Sequence, residues 1–310
     1  MFEAPPDPIP AVRTALASIV YGVGSPILIG GSHLQPLTVP DDEVGPAILH
    51  ITDALEARLV VVEELARPDV AQLLFRHTGG ISGAAVFVPA GTLVRGGGQN
   101  RIVSLSTMLH AGDSRPLEVR CVEVGRWNPM RNREFTGTGA TPHSLKSRKM
   151  SRDLHARMRV TGHRSEDQGE TWADVARHLD RVAMQSATGS LFDALDRSPA
   201  APVVLPNALA GAAGAWFDGV ASGAEVFLSP SLRRTGVKAL VESAVSDGES
   251  TEGPRATFAD VREDLLSSRA WRATAVPGGT IVDFKGDRSG AVGSAFVADG
   301  RVIHLVLGIP

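Results

Sequence analysis

Short apolar runs separated by turn-forming residues fill the chain from Ile27 to Val124, and this pattern constrains the fold more than any other feature. Segments such as GAAVFVPAG and PLEVRCVEV alternate with stretches rich in Gly, Pro and Asp. In PLEVRCVEV the apolar face of the predicted strand holds Leu117, Val119 and Cys121. A period of two with one apolar face is typical of a strand that covers a core. We therefore predict a strand-rich first half.

Helical spacings replace this period of two further along the chain. Within residues 169–196 the apolar side chains form one helical stripe, made of Trp172, Val175, Leu179 and Val182. Ser229 followed by Pro230 is typical of a helix start, with a cap and then proline at the first helical position. The segment TFADVREDLLSS predicts a further helix.

Strand patterns return near the end of the chain, where Asp299-Gly300 predicts a tight β-hairpin turn, as Asp218-Gly219 does earlier. Strands and helices are thus segregated along the chain, which favours an α+β fold over a doubly wound parallel sheet. We predict a predominantly antiparallel β first half, a helical middle and a C-terminal hairpin/helix/strand region.

The domain organisation follows from the same pattern. We predict an N-terminal tail with a short helix over residues 1–24, and then a single α+β domain over 25–310. Within that domain, residues 25–127 are β-rich, 128–196 form a polar loop and helices, and 197–310 mix helices and strands.

Composition restricts the partners and the cellular compartment. The formal net charge of −3 gives the whole chain no attraction for nucleic acid or anionic membranes. Cys121 is the single cysteine, so no intramolecular disulfide forms. The first residues, MFEAPPDPIP, lack the basic and apolar pattern of a signal peptide, and no apolar run reaches membrane-span length. We expect a cytoplasmic protein without a membrane partner, and the sequence leaves a homo-oligomer open.

A basic segment over residues 143–164 is the exception to this balance. It is either an arm for an acidic partner or a solvated helix or loop. Aromatic stacking residues are absent from it, which argues against a nucleic-acid partner.

The glycine-rich segment VRGGGQNRIV resembles a phosphate-binding loop only in its glycines. Such loops lead into a helix whose N-terminus faces the phosphate, whereas the residues after Arg101 predict a strand. The glycines are therefore interpreted as turn residues with positive φ. The next three side chains, Gln99, Asn100 and Arg101, offer several hydrogen-bond donors and two amide acceptors, which suits either a ligand or a surface loop.

The segment CVEVGRW supplies a second group of candidates at the end of a predicted strand. Arg126 and Trp127 together offer a guanidinium group and a stacking surface, which suits phosphate and adenine-like groups. Glu123 could orient Arg126 or act as an acid/base. The alternative is a structural Glu–Arg pair beneath a packed Trp. A hairpin between strands 101–110 and 116–124 would bring the two groups together.

Other candidate chemistry is weak. The nine histidines show no metal-binding spacing, and we predict no metal site and no cofactor. His304, flanked by apolar residues, is typical of a satisfied core histidine. Cys121 faces the core, where a thiol is inert. Either Glu63 or Glu64 must face inward and would reach the region of Arg101 or Arg126.

Several of these motifs also carry a family resemblance. The QNR segment after a Gly-rich turn, the CVEVGRW strand end, QSATGSL and AEVFLSPSLRRTGVKALVESAV together resemble the ARG and rhodanese-phosphatase-superfamily-associated protein domain. The resemblance runs over most of residues 34–307. Two departures are Asp-Ala-Leu in place of Glu-Ala-Leu, and a hairpin in which Glu225 stands near the usual acidic position.

The family name implies association with ADP-ribosylglycohydrolases and phosphatase-like proteins, and hence a role in NAD or ADP-ribose metabolism. The resemblance makes Gln99, Asn100, Arg101, Arg126 and Trp127 the expected ligand-binding residues, with Glu123 as the catalytic candidate. The expected partner is a small nucleotide-type ligand that the protein binds or processes. The alternative is a non-catalytic structural or adaptor domain with a buried Glu–Arg polar network. The sequence does not decide whether the protein is an enzyme.

Overall fold

The computed structural model describes residues 6–22, 24–40, 45–79, 83–126, 134–158, 168–197, 204–248 and 256–309. Over these ranges the strands, in chain order, are β1 (Val20–Tyr21), β2 (Ile27–Ile29), β3 (Ser32–Thr38), β4 (Ile48–His50), β5 (Val60–Glu63), β6 (Gln72–His77), β7 (Ala85–Val88), β8 (Thr92–Gly96), β9 (Arg101–Val103), β10 (Thr107–Leu109), β11 (Ser114–Cys121), β12 (Glu134–Ala140), β13 (Gly214–Asp218), β14 (Gly223–Phe227), β15 (Ala270–Val276), β16 (Gly279–Lys285), β17 (Val292–Ala298) and β18 (Arg301–Gly308).

The α-helices over the same ranges are α1 (Ile9–Ser18), α2 (Ile51–Glu56), α3 (His143–Met158), α4 (Gln168–Arg181), α5 (Leu191–Arg197), α6 (Pro230–Asp247) and α7 (Phe258–Ser267). A short 3-10 turn covers Asn207–Leu209. The mixed α+β class predicted from the sequence is confirmed. The predicted domain bounds stay predictions.

A nine-stranded antiparallel sheet combines both ends of the chain. Its strand order is β1-β3-β13-β14-β18-β17-β16-β15. The ninth strand, β2, pairs antiparallel with the first residues of β3, from Ser32 to Leu34. One face packs against α1 and α7, through residues such as Leu16 and Phe258. The opposite face packs against α6, through residues such as Leu240 and Phe296. Since side chains alternate along a strand, central strands such as β14 contribute to both cores, with Val226 on one face and Phe227 on the other.

A closed six-stranded barrel forms the other main body, in the order β11-β6-β5-β12-β8-β9. Its interior is filled by apolar side chains such as Val62, Phe75, Val94 and Val119. Closure leaves the barrel no free sheet edge. A three-stranded sheet, β10-β7-β4, includes the parallel pair β4–β7 and contributes Phe87 and Met108 to the core beneath α6.

Several local predictions are confirmed. Helix α6 begins at Pro230 with Ser229 at its N-cap position. Helix α7 begins after Thr257, whose hydroxyl accepts the backbone N–H of Asp260. The hairpin β17–β18 turns at Asp299 and Gly300, with φ of 49° and 73°. Positive φ at both central residues is what the type I′ turn requires.

Other local predictions need correction. β13 and β14 are joined by four residues, 219–222, so Asp218-Gly219 is not a two-residue turn. Glu134–Ala140 is strand β12 inside the segment predicted as polar loop. Its sequence, EFTGTGA, lacks apolar alternation, and pairing with β5 and β8 makes it a strand. Residues 51–56 form helix α2 within the predicted strand region.

No helix among the described residues is long and apolar enough to cross a membrane.

Candidate functional site

The glycine-rich segment is the turn between β8 and β9. The two strands pair antiparallel, with Val94 opposite Arg101. Gly96 and Gly97 have φ of 133° and 53°, conformations that favour glycine. A side chain at Gly97 would place its Cβ 2.4 Å from ring atoms of Phe135. The prediction that these glycines shape a turn leading into a strand is confirmed.

We expect Gly97→Ala to destabilise the protein by more than the strain of positive φ alone. Gly112 also has positive φ, at 85°, but its Cβ would meet nothing within 4 Å. Both substitutions carry the left-handed backbone cost of roughly 1–2 kcal/mol, and only Gly97→Ala adds overpacking of roughly 1–3 kcal/mol. Urea denaturation of the two variants measures the difference. Equal losses of stability in the two variants would show that the Phe135 ring moves aside without cost, and that Gly97→Ala causes no overpacking.

The turn places the QNR side chains inside the protein. Gln99 and Asn100 are almost fully buried, and Arg101 is fully buried. The Gln99 side-chain amide donates to the Glu123 carbonyl at 3.0 Å, and its Oε1 lies 3.4 Å from Nη1 of Arg101. The Asn100 amide donates to the Ser190 hydroxyl at 3.2 Å, and its Oδ1 accepts the Gly96 N–H at 3.1 Å.

The CVEVGR strand end joins the same network. The Glu123 carboxylate accepts the backbone N–H of Asn100 at 3.3 Å and the Thr188 hydroxyl at 2.8 Å. It also lies 2.8 Å from Nη2 of Arg126. Arg126 reaches the Asn100 side chain at 3.4 Å and keeps 29% of its own side chain exposed. The structure therefore brings together Gln99, Asn100, Arg101, Glu123 and Arg126, a set that we call the QNR network. Trp127 lies outside the described residues.

The predicted hairpin behind this network is found in part. β9 pairs antiparallel with β11, with Arg101 opposite Cys121. The segment predicted as one strand over 101–110 is broken, since β10 leaves the barrel and pairs with β7. The Cys121 thiol donates to the Gln99 side chain at 3.1 Å, and burial raises the pKa of this thiol. The prediction of an inert, core-facing cysteine agrees with both observations.

A buried ion pair lies at the inner end of the QNR network. Nη2 of Arg101 is 3.8 Å from Oε1 of Glu64, and both side chains are completely buried. The same Glu64 oxygen accepts the Gly98 N–H at 3.0 Å. Burial lowers the pKa of Arg101, against the opposing effect of the nearby acids. Glu64 is thus the inward-facing member of the Glu63–Glu64 pair, as the strand pattern allowed.

The basic segment is neither a free arm nor a solvated helix over the part that is described. Residues 143–158 form α3, which packs between α4, α6 and the nine-stranded sheet. Four of its five cations face acids on these neighbours, and Lys149 pairs with Asp153 on α3 itself. Arg148 and Arg152 contact the buried carboxylate of Asp174 on α4. Arg157 makes two hydrogen bonds, of 2.6 and 2.7 Å, to Asp283 on β16. Residues 159–164 lie outside the described residues.

The sequence reasoning missed a second cluster, in which a lysine, a glutamate and a histidine meet on the α6 side of the nine-stranded sheet. Nζ of Lys146 lies 2.6 Å from each carboxylate oxygen of Glu225. Nε2 of His304 lies 2.8 Å from Oε1 of the same carboxylate. We call Lys146, Glu225 and His304 the cleft cluster. Glu225 and His304 meet diagonally across β14 and β18, where Glu225 pairs with Val306.

The protonation states within the cleft cluster follow from its geometry. Burial alone would raise the pKa of Glu225, but the charge of Lys146 and the hydrogen bond with His304 outweigh it and hold that pKa well below its usual range. Burial lowers the pKa of His304, although Glu225 opposes this shift. At neutral pH the glutamate is therefore ionised and the imidazole is neutral.

Two cavities meet at the cleft cluster. A polar cleft of about 370 Å³ runs past Lys146 and Glu225 and is walled by β12, α2 and α6. A small, mainly apolar cavity of about 50 Å³ lies on the other side and contacts Lys146 and His304. Gly91, with φ of 86°, borders both, and a Cβ there would lie 2.9 Å from the Lys146 side chain. The lysine therefore passes over a glycine to reach the glutamate.

His50 completes the polar side of this region. It lies in the cleft, and its Nδ1 accepts the backbone N–H of Thr52 at 3.3 Å as the N-cap of α2. Burial lowers the pKa of His50 to about 4. Among the described residues, no three His, Cys, Asp or Glu side chains are arranged to hold a metal ion.

One signal in the sequence pointed to the cleft cluster. Glu225 and His304 are polar residues inside otherwise apolar strands, in GAEVF and RVIHLVLG. A buried carboxylate and a buried imidazole are each costly alone, so each predicts a polar partner. The sequence offered no means of choosing that partner, because Lys146 lies in a separate segment.

The model of the ARG and Rhodanese-Phosphatase-superfamily-associated Protein domain matches residues 21–307. No curated protein matches the chain, and no solved structure does.

Proposed function

We propose, from the premise that this chain belongs to the ARG and Rhodanese-Phosphatase-superfamily-associated Protein domain family, that it binds an ADP-ribose-like phosphorylated nucleotide compound in the cleft beside Glu225. The observation that carries this proposal is the cleft cluster. A partly buried lysine and a buried carboxylate line the cleft, and a buried imidazole binds the same carboxylate from behind. Convergent polar groups in a cavity of this size are typical of a small-molecule site.

The lining of the cleft suits a ribosyl compound. Thr52, Thr136 and Thr138 line the cleft, and threonine hydroxyls can exchange hydrogen bonds with ribose hydroxyls. The Glu225 carboxylate is an acceptor for the same groups. Lys238, which is half exposed, supplies a cation at the α6 side, where it would meet a phosphate.

The QNR network supports a different role, which we propose as structural. Its ion pair and amides are buried, and their hydrogen bonds run to one another and to the β8–β9 turn. Such a network fixes the barrel strands and leaves Arg126 as its partly exposed edge. This role corresponds to the alternative interpretation of the sequence.

A thermal-shift experiment separates the two assignments. We expect ADP-ribose to raise the melting temperature of the wild-type protein, by roughly 5 °C at a concentration 100 times Kd. Lys146→Met and the half-exposed Lys238→Met should each reduce this rise. Arg126→Ala should lower the melting temperature of the free protein and leave the rise intact.

Two variants control for this experiment. Arg76→Ala removes an exposed pair with Glu63 and should change neither the melting temperature nor the ligand effect, since exposed pairs contribute about 0–1 kcal/mol. Lys238 is exposed, so its loss tests the cleft even if Lys146→Met fails to fold. If Arg126→Ala abolishes the rise while Lys238→Met keeps it, the ligand site lies at the QNR network and our assignment of the cleft is wrong.

A further inference from the structure

The two ring nitrogens of His50 have different surroundings. Nδ1 accepts the backbone N–H of Thr52, whereas Nε2 has no hydrogen-bond partner within the part of the chain that the structure describes. Nε2 is also not sealed from solvent, in contrast to the Nε2 atoms of His143 and His178, which are buried without a partner among the described residues. His50 is only 4% exposed and lines the polar cleft, so its accessible nitrogen faces that cleft.

The hydrogen bond from Thr52 fixes which nitrogen of His50 carries the proton. A backbone N–H only donates, so Nδ1 is the acceptor, and in the neutral ring Nε2 carries the hydrogen. Burial lowers the pKa of His50 to about 4, although the charges of Asp53 and Glu225 oppose this shift. At neutral pH His50 therefore presents an uncharged N–H donor to the cleft.

Glu225 supplies a hydrogen-bond acceptor near this donor. Glu225 and Phe227 lie on one face of β14, two residues or roughly 7 Å apart, and the His50 ring contacts Phe227 with the ring centroids 6.2 Å apart. A carboxylate has about four acceptor positions. Lys146 contacts both oxygens of Glu225, and His304 contacts Oε1. Oε2 therefore keeps one acceptor position for a group in the cleft.

The two ends of the cleft differ in burial and in the groups they suit. His50 and Glu225 are almost fully buried and form the inner end, whereas Lys238 and Glu242 on α6 are 52% and 38% exposed and form the outer end. A phosphate has no hydrogen to donate to Glu225, and it carries charge of the same sign. A hydroxyl group accepts from an N–H and donates to a carboxylate, so hydroxyl groups match the inner end.

We propose that His50 and Glu225 bind the vicinal hydroxyls of a ribose at the inner end of the cleft, with the phosphates of the same ligand toward Lys238. This inference rests on the proposed function and names the part of the ligand that is recognised. In an ADP-ribose-like compound that part is the terminal ribose. The other ribose carries adenine on one side and phosphate on the other, so it does not enter the inner end first.

Calorimetry of the full-length wild-type protein with four probes tests this recognition. ADP-ribose and ribose 5-phosphate carry the terminal ribose, ADP lacks it, and 2-deoxyribose 5-phosphate lacks one of its hydroxyls. We expect ADP-ribose to bind at least about tenfold more tightly than ADP, because a hydrogen bond to a charged group contributes about this factor. Ribose 5-phosphate should exceed 2-deoxyribose 5-phosphate by a similar factor. These two comparisons need no variant, so they do not depend on whether a substitution allows folding.

Two substitutions separate the donor of His50 from its role as the N-cap of α2. His50→Asn keeps an acceptor for the Thr52 N–H but is too short to place a donor at the position of Nε2. It should keep the melting temperature, weaken ADP-ribose binding by about tenfold and leave ADP binding unchanged. His50→Gln places an N–H group near the position of Nε2 and loses the cap. It should lower the melting temperature and keep the ADP-ribose affinity within about threefold of wild type. His110→Asn removes an exposed imidazole elsewhere and should change neither quantity.

The outcomes separate this inference from the proposed function. If ADP-ribose and ADP bind equally tightly, recognition of the terminal ribose is overturned and the nucleotide site in the cleft stands. If folded His50→Asn binds ADP-ribose within about threefold of wild type, the assignment to His50 is likewise overturned. If ribose 5-phosphate binds in a manner that depends on His50 but ADP-ribose does not bind, the hydroxyl site stands and the proposed nucleotide ligand is wrong. If none of the four probes binds, both proposals fail.

Discussion

Lowering the pH from 7.5 to 5.5 should reduce the free energy of unfolding of this protein by about 4 kcal/mol. The reason is a set of buried neutral histidines. Burial lowers the pKa of His50 to about 4, of His143 to about 3 and of His178 to about 4. The positive charges of Arg181 and Arg148 lower the pKa of His178 further, because they disfavour its protonated form.

The sign follows from where protons bind. In the unfolded chain these imidazoles take up protons below a pH of about 6.5, whereas the folded chain keeps them neutral down to a pH near 4. Protons therefore bind preferentially to the unfolded state, and stability falls as the pH drops through this window. Each histidine contributes about 1.4 kcal/mol over the two pH units, and the lowered pKa of His304 acts in the same direction. Burial raises the pKa of Asp247, which opposes the effect at the acidic end.

Urea denaturation at a series of pH values measures this dependence. The slope of stability against pH near 5.5 counts the protons taken up on unfolding, and we expect about three. His178→Gln should lower the count by about one, whatever its effect on absolute stability. His110→Gln removes an exposed imidazole and should leave the slope unchanged. A slope close to zero for the wild-type protein would mean that the buried histidines are already protonated in the folded chain.

The features that the sequence predicted correctly are those that depend on residues close together in the chain. Glycines before the QNR segment predicted a turn into a strand, and local pairing of β9 with β11 then placed Arg101 opposite Cys121. The i, i+3 and i, i+7 stripe of α4 buries Val175 and Leu179. These features depend on side-chain period and on turn residues within short segments, and a single sequence contains both kinds of information.

The features that the sequence did not predict depend on contacts between residues far apart in the chain. β3 joins the nine-stranded sheet beside β13, about 180 residues later in the chain, and nothing within β3 indicates this partner. β12 became a strand because β5 and β8 flank it, despite a sequence of Thr and Gly. The cleft cluster draws Lys146, Glu225 and His304 from three distant segments, so no motif could contain it.

Long-range contacts also explain why the basic segment is packed inside the protein. Seven Lys or Arg residues with one Asp over 143–164 predict a solvated or ligand-binding surface when only the local charge is considered. The neutralising acids Asp174, Asp283 and Glu225 come from α4, β16 and β14. Helix α3 therefore packs against α4 and the nine-stranded sheet, and its charges fix its position on both.

Glu64→Gln should destabilise the protein by about 3–5 kcal/mol, since it removes the charge of a buried carboxylate that faces Arg101. Neighbouring Glu63 provides a matched control. Its pair with Arg76 is 3.6 Å long and partly exposed, so Glu63→Gln should cost at most about 1 kcal/mol. Urea denaturation of the two adjacent variants compares a buried and an exposed glutamate on one strand end.

The double variant Glu64→Leu/Arg101→Met shows whether the loss comes from an uncompensated charge. Replacing both members of a buried pair by apolar groups is often neutral or stabilising. Removing only one leaves the other as a buried charge without its partner. We therefore expect the double variant to recover most of the stability that Glu64→Gln loses. It should also keep the melting-temperature rise produced by ADP-ribose, because the QNR network lies outside the proposed cleft. If Glu64→Gln costs no more than Glu63→Gln, Arg101 is neutralised by other groups, and the ion pair does not hold the network together.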